Sequence, residues 1–271
     1  MRLPNRPSGV ALVVLSSDRH AALWPVFFHF FFKNWPDCNY PVYLAANDER
    51  YLHRRVTCVL SGTDADWSSS IRASLAQIDA PHLLCLMDDM FLTRPVPGER
   101  IGRLVARAVQ SRIEHLQLQP YNYVGAIPTP DDRMVRLHER ARFRVSLYGL
   151  TFWRREVFTR LLSPGESAWF FEIGATRRSR SYSEFFATTK QVVPGMVHGL
   201  EKGAWLPNAV SVMERLGIDV RAFPFAVQRI SGLRRAWRWL KHRAGMLLPL
   251  RLQIPLQWAV FRLYRAFGYV R

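Results

Sequence analysis

Two adjacent carboxylates, Asp88 and Asp89, close the apolar run HLLCLM and are followed by MFL. Like charges so close repel, and desolvating each costs on the order of several kcal/mol unless a partner compensates. A turn facing water would compensate without consequence. A hard divalent cation, Mn²⁺ or Mg²⁺, would do so with chemical purpose. Such ions take carboxylate oxygens together with substrate phosphates and neutralise a leaving diphosphate. Two further apolar runs also end in polar residues, at Ser16-Ser17-Asp18 and Asn47-Asp48. In an open α/β sheet, the space beyond the carboxyl ends of the strands is where ligands bind. The segment ESAWFFE adds Glu166 and Glu172. Glu172 follows Trp169 by three residues, so on a helix the two share a face. An aromatic ring beside a carboxylate desolvates it, raises its pKa and suits it to act as a general base. The competing reading is a surface glutamate paired with Arg177 or Arg178. Downstream, Lys202 has the chemistry to reach a phosphate, as does the basic stretch TRRSRS; plain solvent exposure is the alternative for both.

These residues need elements to hold them. GVALVVLSSD is continuously apolar, which suits a parallel strand buried on both faces. Further strands are expected at YPVYLAAND, RRVTCVL, HLLCLM and EHLQLQP. Helices are expected from Pro25 to just before Pro36, over DWSSSIRASLAQID with Ser68 to Ser70 as cap residues, over GERIGRLVARAVQ, from Ser167, and over LPNAVSVMERLG, closed by Gly217. YNYVGAIPTPDDR reads as a loop, and FRVSLYGLTFWRREVFTRLL as a strand, a turn near Gly149 and a helix. The order is that of an α/β sheet covered by helices.

The net charge is +17 over 271 residues, which points to an anionic partner. The charge is concentrated: 11 of the 38 lysines and arginines, and none of the 21 acidic residues, lie from Val220 to Arg271. In that tail Leu233, Trp237, Leu240 and Ala244 share a helical face beside Arg234, Arg238 and Lys241, and PLQWAVFRLYRAFGYVR follows. Basic helices with Trp and Phe suit an anionic bilayer surface. Cys38, Cys58 and Cys85 lack metal-site spacing and read as thiols of a reducing compartment. VALVVL is too short for a secretory signal core, and no run reaches the length that spans a bilayer.

The strand order, LLCLMDDMFL and the later SAWFFE resemble bacterial nucleotide-sugar-dependent glycosyltransferases of the GT-A type. The resemblance covers roughly residues 9 to 218. VVLSSDRHAALWPVFFHFFFKNWPDCNYPVYLAAND, DWSSSIRASLAQI and EKGAWLPNAV resemble, more narrowly, uncharacterised transferases of polysaccharide gene clusters. The resemblance implies that an Asp-x-Asp-like motif ends the fourth strand and holds metal and sugar diphosphate. Ser17 and Asp18 would meet the nucleoside, with Asn47 beside them. Trp67 and Arg72 would line the nucleotide or diphosphate. Asp88 would face the ribose or donor sugar, Asp89 would bind Mn²⁺ or Mg²⁺, and His198 would be a late metal ligand. Glu172 would be the base of an inverting transfer. One departure stands out: the third position of the motif is Met90, so that without a metal Arg72 or Arg177 would have to stabilise the leaving group.

The expectation is therefore a GT-A-like, Rossmann-like mixed sheet flanked by helices over residues 1 to 225, and a basic amphipathic helical tail over 226 to 271. Its partners would be a nucleotide-sugar donor, a glycan or lipid-linked acceptor, and an anionic membrane surface at the cytoplasmic face. Rival readings are a nucleic-acid binder, a metal-dependent phosphohydrolase and a non-catalytic membrane-associated scaffold. The first lacks a reader motif, and its basic residues alternate with bulky apolar ones. The second lacks further ligands at recognisable spacing. Activity alone separates the third.

Overall fold

The computed structural model describes residues 9–62, 65–228, 240, 243–245 and 247–266. The first half reads β1 (Val10–Leu15), a 3₁₀ turn (Asp18–Leu23), α1 (Trp24–Asn34), β2 (Val42–Ala46), β3 (Val56–Leu60), α2 (Trp67–Ala76), β4 (His82–Met87), β5 (Met90–Leu92), α3 (Gly98–Gln110) and β6 (His115–Pro120). The second half reads β7 (Ala126–Pro128), β8 (Met134–Leu137), β9 (Thr151–Arg154), α4 (Arg155–Leu161), α5 (Ala168–Arg178), β10 (Phe185–Thr188), β11 (Met196–His198), β12 (Leu200–Glu201), β13 (Ala204–Trp205), α6 (Pro207–Arg215), β14 (Ala226–Val227) and α7 (Leu250–Ala266).

Nine strands form one mixed sheet in the order β3-β2-β1-β4-β9-β6-β10-β8-β7. β1 to β4 are mutually parallel, and β9 runs antiparallel between β4 and β6. The continuous apolarity of β1 has its expected cause. Val10, Leu12 and Val14 pack into the cluster under α1, α3 and α6, while Ala11, Val13 and Leu15 pack into the cluster under α2, α4 and α5. α1 drives Phe27, Phe28, Phe30 and Phe31 into the first of these, each worth about 2 kcal/mol in apolar burial.

Three local expectations are corrected. The cap of α2 is Asp66, which accepts from the Ser69 N–H at 2.9 Å; Ser68 to Ser70 lie inside the helix. The loop expected over 121 to 133 contains the edge strand β7, and β8 follows it. The segment from Phe143 to Tyr148 is irregular rather than a strand. Its backbone is claimed by side chains: Gln117 donates to the carbonyls of Phe143 and Arg144, Thr176 takes the Val145 N–H, and Glu172 takes the Leu147 N–H. The tail is helical over α7, and β14 continues the body past residue 225 by pairing with β13. Leu233, Arg234, Trp237, Arg238 and Lys241 lie outside the described residues.

Candidate active site

β1, β2 and β4 end together, and their carboxyl ends carry the polar residues singled out above. Asp88, directly after β4, has no exposed surface. Ser16 Oγ donates to its Oδ2, and Trp24 Nε1 donates to Ser16 Oγ at 2.7 Å. His20 Nδ1 lies 3.0 and 3.1 Å from the two Asp88 oxygens. Burial pushes the Asp88 carboxyl up, and the His20 contact works against it. Burial also opposes a charge on His20, but the Asp88 carboxylate, with Asp89 behind it, outweighs this and raises the imidazole pKa. His20 had no place in the expected site. Its signal was only its position, three residues after Ser17, on the turn that follows β1.

Asp89 faces the other way. Its Oδ2 lies 3.3 Å from His198 Nε2, and its Oδ1 is buried with no hydrogen-bond partner. The contact depends on a two-stranded ribbon in which β5 pairs antiparallel with β11, setting Met90 opposite His198. The Gly199 N–H closes it by donating to the Asp89 carbonyl at 2.7 Å. A Cβ at Gly199 would lie 2.5 Å from the Phe91 ring, so the ribbon requires glycine there. Burial opposes protonation of His198, but Asp89 prevails and raises its pKa.

Glu172, on α5, completes the group. Its Oε1 accepts from the Leu147 N–H at 2.7 Å and from Ser146 Oγ at 3.1 Å. Burial of the carboxyl raises its pKa against those two donors, and His198 lies within electrostatic range. The expected reason was Trp169. In the structure Trp169 is 39% exposed, and the hydrogen bonds to Glu172 come from the 146–148 loop. That loop holds its one exposed ring, Tyr148, edge-on to His198 with 6.2 Å between centroids. Arg178 pairs with Glu166 through two bonds of 2.7 and 2.6 Å, leaving Glu172 to the site.

Other expected residues are placed differently. The Asp18 carboxylate accepts the backbone N–H groups of Asn47, Asp48 and Glu49, and Asn47 Oδ1 accepts the Asp18 N–H. The two therefore lock the ends of β1 and β2 together. Ser17 sits at the head of the 3₁₀ turn, its carbonyl taking the His20 N–H. Trp67 packs against Phe171, 5.4 Å between centroids, and Arg72 donates to the Leu162 carbonyl. These contacts tie both to the α4–α5 side of the sheet. Lys202 occupies a two-residue hairpin turn with Gly203, both at positive φ.

A cation fits the Asp89–His198 pair chemically: a buried, unpaired carboxylate oxygen beside an imidazole is a mixed oxygen and nitrogen donor set that Mn²⁺ accepts. Among the described residues no group of three or more His, Cys, Asp or Glu side chains is gathered for a metal.

No family model matches the chain, and no curated protein matches it in sequence. Among solved structures, a UTP-bound UGPase from Acinetobacter baumannii aligns with TM-score 0.51 and 9% identity, over 85% of this chain and 97% of that one. Lower-scoring likenesses include a CMP:2-keto-3-deoxy-manno-octonic acid synthetase complexed with CTP, with TM-score 0.46 and 12% identity over 78% of this chain and 98% of that one. They also include S. aureus TarS 1–349 in complex with UDP-GlcNAc, with TM-score 0.42 and 12% identity over 76% and 65%. The first of these shows the fold: a mixed α/β sheet flanked by helices, as expected.

Proposed function

We propose that the chain is a glycosyltransferase that moves a sugar from a nucleotide-diphosphate donor to a hydroxyl of a glycan or lipid-linked glycan, in the synthesis of cell-surface polysaccharide at the cytoplasmic face of the membrane. One observation carries the reading: the Asp89–His198 pair and the carboxyl of Glu172 converge beyond the carboxyl end of β4. The fold likeness to a UTP-bound protein supports a nucleotide in the same cleft.

The residues divide the work. Asp89 Oδ1 and His198 would hold a divalent cation, which when bound supplies positive charge for the departing diphosphate. Asp88 is saturated by Ser16 and His20, so it acts through His20 instead of meeting the donor sugar itself. With Nδ1 fixed by Asp88, His20 has Nε2 left for the nucleotide. Ser17 would lie beside the nucleoside, on the segment that Asp18 and Asn47 hold in place. Glu172, with its raised pKa, takes the proton of the acceptor hydroxyl. The hydroxyl oxygen bonds to the anomeric carbon, the bond from that carbon to the diphosphate breaks, and the nucleoside diphosphate leaves with the electron pair. A single displacement of this kind inverts the anomeric centre.

The test is calorimetric titration of the full chain with UDP, GDP, CMP and dTDP, each with and without Mn²⁺, repeated on Asp89→Ala. Binding of one nucleoside diphosphate that requires both Mn²⁺ and Asp89 is the expected result. Binding indifferent to both would remove Asp89 from the diphosphate, and no binding by any nucleotide would overturn the reading.

A further inference from the structure

α7 is a 17-residue helix. Of the α7 side chains whose surroundings are described, only Gln253 is buried, at 1% exposure. Leu252, Leu256 and Leu263 are 42%, 44% and 57% exposed, and Ala259 is exposed with them. Positions 252, 256, 259 and 263 follow the spacing that makes one continuous apolar stripe on a helix. Arg251 and Arg262, both exposed, each precede a leucine of this stripe. An apolar ridge left in water marks a surface that something covers.

The chain narrows what that is. From Val220 onward there are 11 basic residues and no acidic one. A second copy docking ridge to ridge would bring Arg251 and Arg262 of each copy together with no carboxylate from this segment to offset them. An anionic bilayer offers both requirements at once, apolar depth and negative charge. No helix among the described residues is long and apolar enough to cross a membrane, so α7 would lie along the surface.

The buried side of α7 fixes how it lies. Gln253 Oε1 accepts the Arg142 N–H at 2.6 Å, and its Nε2 donates to the carbonyls of Val124 and Leu248 at 3.1 and 2.8 Å. Leu250 packs on Gly125, where a Cβ would meet Leu250 Cδ2 at 2.9 Å. The Arg142 guanidinium lies over the rings of Phe143 and Tyr123, at 4.7 and 5.6 Å. Tyr123 is within electrostatic range of Glu172, and α7 also lies against α5.

We propose that α7 anchors the protein to an anionic membrane surface through the Leu252–Leu256–Ala259–Leu263 ridge, and that its docking on the 124 and 142 loops turns the Glu172 side of the cleft toward a lipid-borne acceptor. The anchor stands alone; the acceptor clause rests on the transferase reading above.

The experiment is co-sedimentation of the full chain with vesicles of phosphatidylcholine, with and without phosphatidylglycerol. Wild type should bind the anionic vesicles at least about tenfold more tightly, an advantage that falls with added salt. The variant Leu252→Gln/Leu256→Gln/Leu263→Gln keeps every basic residue and should lose binding by about a hundredfold or more. Its thermal unfolding and nucleotide titration should be unchanged, because Leu252, Leu256 and Leu263 are exposed and none of them is among the site residues. Arg251→Gln/Arg262→Gln should cost about thirtyfold, or about 2 kcal/mol at 1.4 kcal/mol per tenfold. A folded ridge variant that sediments like wild type would overturn the anchor. So would a wild-type dimer in light scattering that the ridge variant abolishes, since the ridge would then belong to a second copy. Vesicle binding in a protein that binds no nucleotide would keep the anchor and remove only the acceptor clause.

Discussion

The carboxyl of Asp88 has no exposed surface, yet it is surrounded by groups that stabilise a negative charge: Ser16 Oγ, itself oriented by Trp24 Nε1, and His20 Nδ1. A buried carboxylate with one dedicated imidazole partner sets that ring's tautomer and orientation. Its removal should therefore be read first at His20. In Asp88→Asn the side chain keeps its size but loses the charge that holds the imidazolium. The His20 pKa, raised in the wild type, should fall, and the ring proton titration followed by NMR should move to lower pH. An unmoved His20 titration would show that Asp88 only fills space. The neighbouring pair is built differently. Asp89 keeps a buried oxygen without any protein partner, an arrangement that costs about 1–3 kcal/mol when nothing binds there. Adjacent aspartates thus have unlike surroundings, one completed by hydrogen bonds and the other with an oxygen that has none.

At the scale of elements, the site depends on the β5–β11 ribbon and on Gly199, which closes it. A methyl group at Gly199 would meet the Phe91 ring at 2.5 Å and the Asp89 carbonyl oxygen at 3.2 Å, against a hydrogen bond of 2.7 Å that must survive. Gly199→Ala should lose about 1–3 kcal/mol of stability by overpacking, measured by urea unfolding. On the proposed function it should also weaken nucleotide binding in the presence of Mn²⁺, because His198 moves off Asp89. Stability and binding both equal to wild type would mean the ribbon yields without consequence. Much of the framework was legible from the chain. Continuous apolar runs gave β1, β2 and β4, since strands buried on both faces have no polar face to alternate with, and helical spacing, cap residues and prolines gave the helices between them. The carboxyl-end cluster was legible too, because Asp88 and Asp89 interrupt such a run. The ribbon was not. β5 and β11 have three residues each, too few to show a period, and their pairing spans about a hundred positions. His20 was hidden for a related reason: its partner is 68 residues away. Asp18 and Asn47 looked like ligand-facing residues, but the Asp18 carboxylate accepts the N–H groups of residues 47 to 49 and the Asn47 amide accepts the Asp18 N–H and donates to the hydroxyls of Ser61 and Ser70, because two strand ends that meet must satisfy exposed N–H groups.

For the molecule as a whole, the charge of +17 and the shifted pKa values of His20, His115 and His198 make acidic pH a test of how the parts combine. His115 lies in the middle of the sheet with no exposed surface, its ring stacked on Trp153 at 3.7 Å and its Nδ1 3.0 Å from the Phe152 carbonyl. Burial pushes its pKa down to about 3. The unfolded chain, with an ordinary histidine pKa of about 6.5, therefore binds a proton that the folded chain refuses. Stability from this residue is fully present above pH 6.5 and declines as pH falls, by about 2 kcal/mol at pH 5 and more until about pH 3. The site histidines act with the opposite sign. His20 and His198 have raised pKa values, so their contribution is fully present below about pH 6.5 and is lost as pH rises through the folded values. The net curve of the wild type mixes these terms, but the difference between wild type and His115→Asn isolates the first. The variant should be less stable at pH 7.5, because it loses the stack on Trp153. Its deficit, followed by urea unfolding, should shrink by about 2 kcal/mol on going to pH 5. A deficit that stays constant between the two pH values would mean that His115 accepts its proton inside the folded sheet, and that the core around it is open enough to solvate a charge.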